Sequence, residues 1–105
     1  MKLTGKCKVD FEKWYELNIS EFIFPLTTIE YSGDGLGFKD LSTKMRYGVY
    51  VDFFDSVGLY ISLNQYDESF WFDIEPSGFD SNYFDTRQKA RISAIKEANK
   101  IHNKI

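Results

Sequence analysis

Met45-Arg46-Tyr47-Gly48-Val49-Tyr50-Val51-Asp52-Phe53-Phe54, then Leu59-Tyr60-Ile61-Ser62-Leu63 and Phe70-Trp71-Phe72-Asp73-Ile74-Glu75, decide how this chain folds. Met45, Tyr47, Val49, Val51 and Phe53 alternate with Arg46, Gly48, Tyr50, Asp52 and Phe54. Leu59, Ile61 and Leu63 alternate with Tyr60, Ser62 and Asn64, and Phe70, Phe72 and Ile74 with Trp71, Asp73 and Glu75. A period of two predicts three strands with one apolar and one mixed face. Parity tests the register, because core residues must oppose core residues. Phe53 opposite Leu59 and Val51 opposite Ile61 require an odd loop or a bulge. Asp55-Ser56-Val57-Gly58 suits one, since a three-residue turn closes on a left-handed glycine. The third strand has an even core set and needs an even loop, around Tyr66-Asp67 or a wider turn. A three-stranded antiparallel meander follows.

The flanks read as helices. Thr4 is the expected N-cap of a first helix. Cys7, Phe11, Trp14 and Tyr15 share one face at helical spacing and should be core, with Asn18 near the end. Pro76-Ser77-Gly78 stops the third strand, and Asp85 or Thr86 caps a last helix reaching about Asn103. On that helix Ala90, Ala94, Ala98, Ile101 and Ile105 cluster with Ile95 beside them, opposite Lys89, Lys96, Lys100 and Lys104. The expected fold is α+β: helix, three-stranded antiparallel meander, helix, with both helices on one sheet face. Residues 19–43 read as a long irregular connection. Pro25 breaks the apolar Phe22–Leu26 run, Ser32–Gly37 is loop-like, and Phe38 and Leu41 should tuck into the core edge.

A length of 105 residues predicts one domain, and 43% hydrophobic with 18% aromatic residues argue against disorder. The apolar run Phe22–Leu26 is too short to cross a bilayer, and Met1–Lys6 lacks the apolar stretch of a signal peptide. With one cysteine and one histidine, neither a disulfide nor a metal or other cofactor is expected. A cytoplasmic location in a reducing compartment, without membrane attachment, is the corresponding expectation.

Charge is unevenly placed. Residues 1–85 carry 7 Lys+Arg against 15 Asp+Glu, while residues 86–105 carry 6 against 1. Two surfaces of opposite potential result. No nucleophilic constellation stands out: Cys7 falls on a buried helix face, and His102 flanks the apolar stripe of the last helix without an assigned role. Asp52, Asp73 and Glu75 belong to the mixed sheet face, on strands about 9–10 Å apart, too far for a tight metal or acid–base pair. Gly33, Gly35 and Gly37 lack the strand–turn–helix setting of a phosphate loop.

The mixed face is the candidate site. Tyr50, Phe54, Tyr60 and Trp71 would point the same way as Asp52, Asp73 and Glu75, uncovered by the helices unless residues 19–43 fold across them. Aromatics rimmed by carboxylates suit a basic protein surface. The competing candidate is Arg87, Lys89, Arg91, Lys96, Lys100 and Lys104 on the last helix, facing a nucleic-acid backbone.

Two resemblances add to this. The element order, with Thr86-Arg87-Gln88-Lys89-Ala90-Arg91 followed by Ala94-Ile95 and Ala98, resembles the double-stranded RNA-binding domain. That likeness implies phosphate contacts by Arg87 and Arg91, although Gln88 departs from the family's basic pattern. A wider resemblance rests on Met1-Lys2-Leu3-Thr4-Gly5-Lys6-Cys7-Lys8, Phe11-Glu12-Lys13-Trp14, the Tyr47–Gly58 run and the Thr86–Asn99 segment. These are similar to small tailed-phage and prophage proteins of Bacteroidetes-type hosts. It implies a phage-encoded binding protein without catalytic residues, of which a counter-defence inhibitor of the anti-CRISPR type is the concrete form. Its partner would be a host protein with a basic surface. The alternative is a nucleic-acid-binding module.

Overall fold

The structure is a computed structural model that describes residues 2–22, 38 and 41–105, without the side chains of residues 19–22. Its elements are α1 (Gly5–Phe22), α2 (Thr43–Ser56), β1 (Tyr60–Tyr66), β2 (Ser69–Glu75), β3 (Phe79–Asp80) and α3 (Arg87–Asn103). The fold is α+β: an antiparallel three-stranded sheet in the order β1-β2-β3, flanked by helices before and after. The apolar side of the sheet carries α3 on β2 and β1 and α2 on β1, and α1 packs across α2 and α3.

One element differs in kind from the sequence expectation. Residues 43–56 form a helix, so the first strand of the meander is not Met45–Phe54, and residues 79–80 supply the third strand instead. Apolar residues occupy both parities of Tyr47–Phe54, a run that fits a buried helix as well as a strand. Val49, Tyr50, Phe53 and Phe54 are its buried residues, at i, i+1, i+4 and i+5. The ends settle which periodicity wins. The Ser42 hydroxyl accepts from the Met45 amide at 3.2 Å as N-cap. At the other end Gly58 takes φ +83°, the Gly58 amide donates to the Asp55 carbonyl at 3.1 Å, and the Leu59 amide donates to Phe54 at 2.8 Å. That pair of bonds is a Schellman motif, completed by buried Leu59 beside buried Phe54. A left-handed glycine was foreseen here, but it ends a helix rather than a hairpin.

The sheet follows the alternation. Leu63 opposes Phe72 and Ile61 opposes Ile74, so the apolar set of both strands faces inward. A two-residue turn joins Tyr66 to Ser69, with Asp67 at φ 57°, a conformation that Asp tolerates. Pro76-Ser77-Gly78 stops the Ser69–Glu75 strand, as expected, and turns the chain into β3. Beyond β3 the chain still tracks β2. Ser81 pairs with Phe72 through its amide at 2.9 Å and accepts the Phe72 amide on its hydroxyl at 2.9 Å, and Phe84 bridges Phe70. Three steps on one side against two on the other make a bulge.

The core gathers Leu3 from the segment before α1, Cys7, Phe11 and Tyr15 of α1, Val49, Tyr50, Phe53 and Phe54 of α2, Phe72 and Ile74 of β2, and Ala94, Ile95 and Ala98 of α3. Alanines at 90, 94 and 98, all fully buried, let α3 approach the sheet closely. Leu41 is buried and Phe38 packs against the core, as expected, with Phe38 4.9 Å from Tyr50 between ring centroids. α1 continues past the expected end at Asn18 to Phe22, whereas α3 ends at Asn103 as expected, which leaves Ile105 beyond it, 69% exposed rather than in the buried stripe. Phe22 closes α1, and the rest of the Phe22–Leu26 reading, with that of Ser32–Gly37, falls on residues 23–37, outside the described residues.

Candidate functional site

The β1–β2 hairpin builds the outward face. Its odd positions on β2 and even positions on β1 point away from the helices, so Tyr60 opposes Glu75, Ser62 opposes Asp73, Asn64 opposes Trp71 and Tyr66 opposes Ser69. Tyr60 and Tyr66 are 53% and 72% exposed, and Glu75 is exposed, while Trp71 and Asp73 are half-buried. β3 adds Asp80 directly opposite Asp73. The Asn64 amide donates to the Asp73 carboxylate at 3.2 Å.

Residues 57–86 contain six Asp+Glu and no Lys or Arg. Among the described residues, the carboxylates of Asp73, Glu75 and Asp80 have no ion-pair partner. Like charges directly opposed across strands are unfavourable. The face therefore holds an aromatic surface and uncompensated negative charge together.

Of the expected site residues, Tyr60, Trp71, Asp73 and Glu75 come together here. Tyr50 and Phe54 do not: they are 4% and 0% exposed and belong to the core, because residues 43–56 are helical. Asp52 is exposed on α2, not on the sheet. It sits three residues before Asp55, whose carboxyl is held above its ordinary value by burial and then by the Asp52 charge. Tyr66 and Asp80 were not foreseen; Tyr66 obeys the same alternation as Tyr60, and Asp80 needed the third strand to be placed.

The basic residues of α3 divide into two sets. Arg87 stacks over Phe70, 5.1 Å from the ring centroid, and donates to the Gln65 side chain at 3.0 Å. Arg91 lies 5.5 Å from the Tyr47 ring centroid, tying α3 to α2. Both guanidiniums are thus engaged in packing. Lys89 pairs with Asp85 at 3.0 Å on the surface. Lys96, Lys100 and Lys104 are exposed, and none has an ion-pair partner among the described residues.

Asn99, Asn103, Asp10 and His102, to which the sequence assigns no role, hold α1 and the segment before it to α3. Asn99 accepts from the Thr4 amide at 2.9 Å and donates to the Thr4 hydroxyl at 3.0 Å. Asn103 accepts from the Cys7 amide at 2.8 Å and donates to the Thr4 carbonyl at 3.0 Å. The Thr4 position is the expected cap, but the Cys7 amide is satisfied from another helix. Gly5 permits this at φ +61°, where an added Cβ would stand 3.1 Å from the Asn103 side-chain oxygen. One turn on, buried His102 meets Asp10, Nε2 to Oδ2, at 2.8 Å. That bond holds the Asp10 carboxyl below its ordinary value, ahead of burial's opposing push. Asparagines at i and i+4 beside an apolar stripe, in a helix they disfavour, were the available signal.

Cys7 is fully buried, and burial, with the Asp10 charge second, pushes its thiol up to about 12. That excludes a poised thiolate. Among the described residues no three His, Cys, Asp or Glu side chains gather to hold a metal, and no helix is long and apolar enough to cross a membrane. Compared with protein-family models, curated proteins and solved structures, the chain matches none.

Proposed function

We propose that this chain is a non-enzymatic binding protein whose outward sheet face seats on the basic surface of a protein partner. The observation that carries this reading is Asp73 facing Asp80 beside Trp71, with no ion-pair partner for either carboxylate among the described residues. Tyr60, Tyr66 and Trp71 supply rigid contact area, and the carboxylates supply steering and register. The same carboxylates repel a nucleic-acid backbone, so a basic groove on a protein is the complementary surface.

A groove of that kind is how nucleic-acid-handling proteins hold their substrates. Joined to the likeness to small phage proteins, this supports a counter-defence role in the cytoplasm of a bacterial host: an inhibitor, of the anti-CRISPR type, that occupies the nucleic-acid groove of a host effector. The nucleic-acid-binding alternative draws less support, because contacts within the chain already engage Arg87 and Arg91, the two residues to which the RNA-binding resemblance assigns phosphate contacts.

The test is capture from host lysate on the immobilised chain, followed by binding measurements on the captured protein. The expected partner binds nucleic acid when alone and releases it when this chain is added. Asp73→Lys with Asp80→Lys should abolish that competition at low salt, and Trp71→Ala should weaken it by about 2 kcal/mol at any salt. A partner that ignores those three changes but is lost with Lys96→Glu and Lys100→Glu refutes the sheet-face reading.

A further inference from the structure

A second site of opposite sign lies where the segment before α1 crosses α3. Lys2, Thr4, Ile92, Lys96, Asn99 and Lys100 line a half-enclosed cavity of about 380 Å³. We propose that this cavity binds the phosphate group of a nucleotide-sized ligand, a reading independent of the sheet face.

Three lysines from two segments that are distant in the chain line it. None of them has an ion-pair partner among the described residues, in a protein of net charge −3. Overall basicity therefore does not account for the cluster. Lys96 and Lys100 are spaced i,i+4, where like charges destabilise a helix and a glutamate would support it.

The walls are built rather than adventitious. Leu3 is buried beside Lys2, and Asn99, 7% exposed, grips Thr4 through both its oxygen and its nitrogen. The segment bearing Lys2 is thereby fixed against the helix bearing the other two lysines, so the three lysine backbones need not be ordered when an anion binds. Ile92, 41% exposed, offers an apolar wall to whatever the phosphate is attached to. The volume falls in the range of small-molecule sites and is too confined for the side of a duplex.

Two sources share this chemistry: a free nucleotide, or a phosphate at the end of a nucleic-acid strand. Amide chemical shifts of the labelled protein, followed during titration with pyrophosphate, AMP and a 5′-phosphorylated RNA oligonucleotide, test the proposal and separate the sources. Saturable shifts confined to residues 2–6 and 92–100 are expected with pyrophosphate and AMP. Lys96→Gln with Lys100→Gln should weaken them at least about tenfold, while Trp71→Ala leaves them unchanged. If the oligonucleotide saturates the same amides at lower concentration than AMP, a strand end is the source; if not, the free nucleotide is. The proposal is overturned if small phosphates give no saturable shift up to about 10 mM, if the double variant binds as the parent does, or if the shifts spread equally over Lys8, Lys13, Lys89 and Lys104.

Discussion

Replacing Asn99 or Asn103 by alanine separates what a hydrogen bond contributes from what its burial contributes. Each side chain makes one bond as acceptor and one as donor to the start of α1, at 2.8–3.0 Å. Two neutral hydrogen bonds contribute a net of about 2 kcal/mol. Asn99 is 7% exposed, so truncation also empties a buried position between α3 and the segment before α1, and the expected cost rises to about 2–3 kcal/mol. Asn103 is exposed, water can replace it, and the cost should be about 1 kcal/mol. Urea melts at 25 °C would measure both, with Lys96→Ala as a control expected within about 0.5 kcal/mol of the parent. Amide hydrogen exchange at Thr4 and Cys7 should accelerate in the variant that lost the corresponding acceptor. An Asn103 change that costs as much as the Asn99 change would refute the role given to burial. Costs below about 0.5 kcal/mol for both would refute the capping of α1 by α3.

Phe72→Ala, at a fully buried inward position, should cost about 3–5 kcal/mol in a denaturant melt, and Trp71→Ala on the opposite face much less. Cys7 should resist iodoacetamide in the folded protein at pH 8 and react fully in urea. Because burial raises its thiol to about 12 only in the fold, the stability it supports is complete below the unfolded value and declines as pH rises above about 9. Asp10 has the opposite sign. Its lowered value adds stability above the ordinary carboxylate range that is lost as pH falls through the folded value, and Asp10→Asn should flatten the acid limb of a stability–pH curve.

How much of the molecule the sequence discloses depends on which residues settle each element. The Leu63–Phe72 and Ile61–Ile74 pairs were legible because alternation and a two-residue turn agree, and nothing else fits that run. The stripes of α1 and α3 were legible because helical spacing has no rival there. Residues 45–54 misled because β-branched and aromatic residues fill both parities, and Gly58 suits two different turns. The parity check was self-consistent and still selected the wrong element, since it tested the register of a strand and not its existence. The candidate site inherits this division. Tyr60, Trp71, Asp73 and Glu75 depend only on the hairpin and stand together, while Tyr50, Asp52 and Phe54 depended on the run that became α2. Asn99, Asn103 and the Asp10–His102 pair join positions more than 90 residues apart, a separation at which no local pattern speaks.

The asparagine grip on α1 also sets an order of events during synthesis. Thr4 and Cys7 leave the ribosome early, but the side chains that satisfy their amides come 95 and 96 positions later. At roughly 5–20 residues per second, α1 waits on the order of 5–20 s before its first turn is capped. During that interval Phe11, Trp14 and Tyr15 can meet Phe38 and α2, on which they pack, but α3 is still missing. A nascent chain of this sequence therefore carries α1 with an uncapped first turn until α3 has been made, and the contacts that close the fold are those of highest sequence separation.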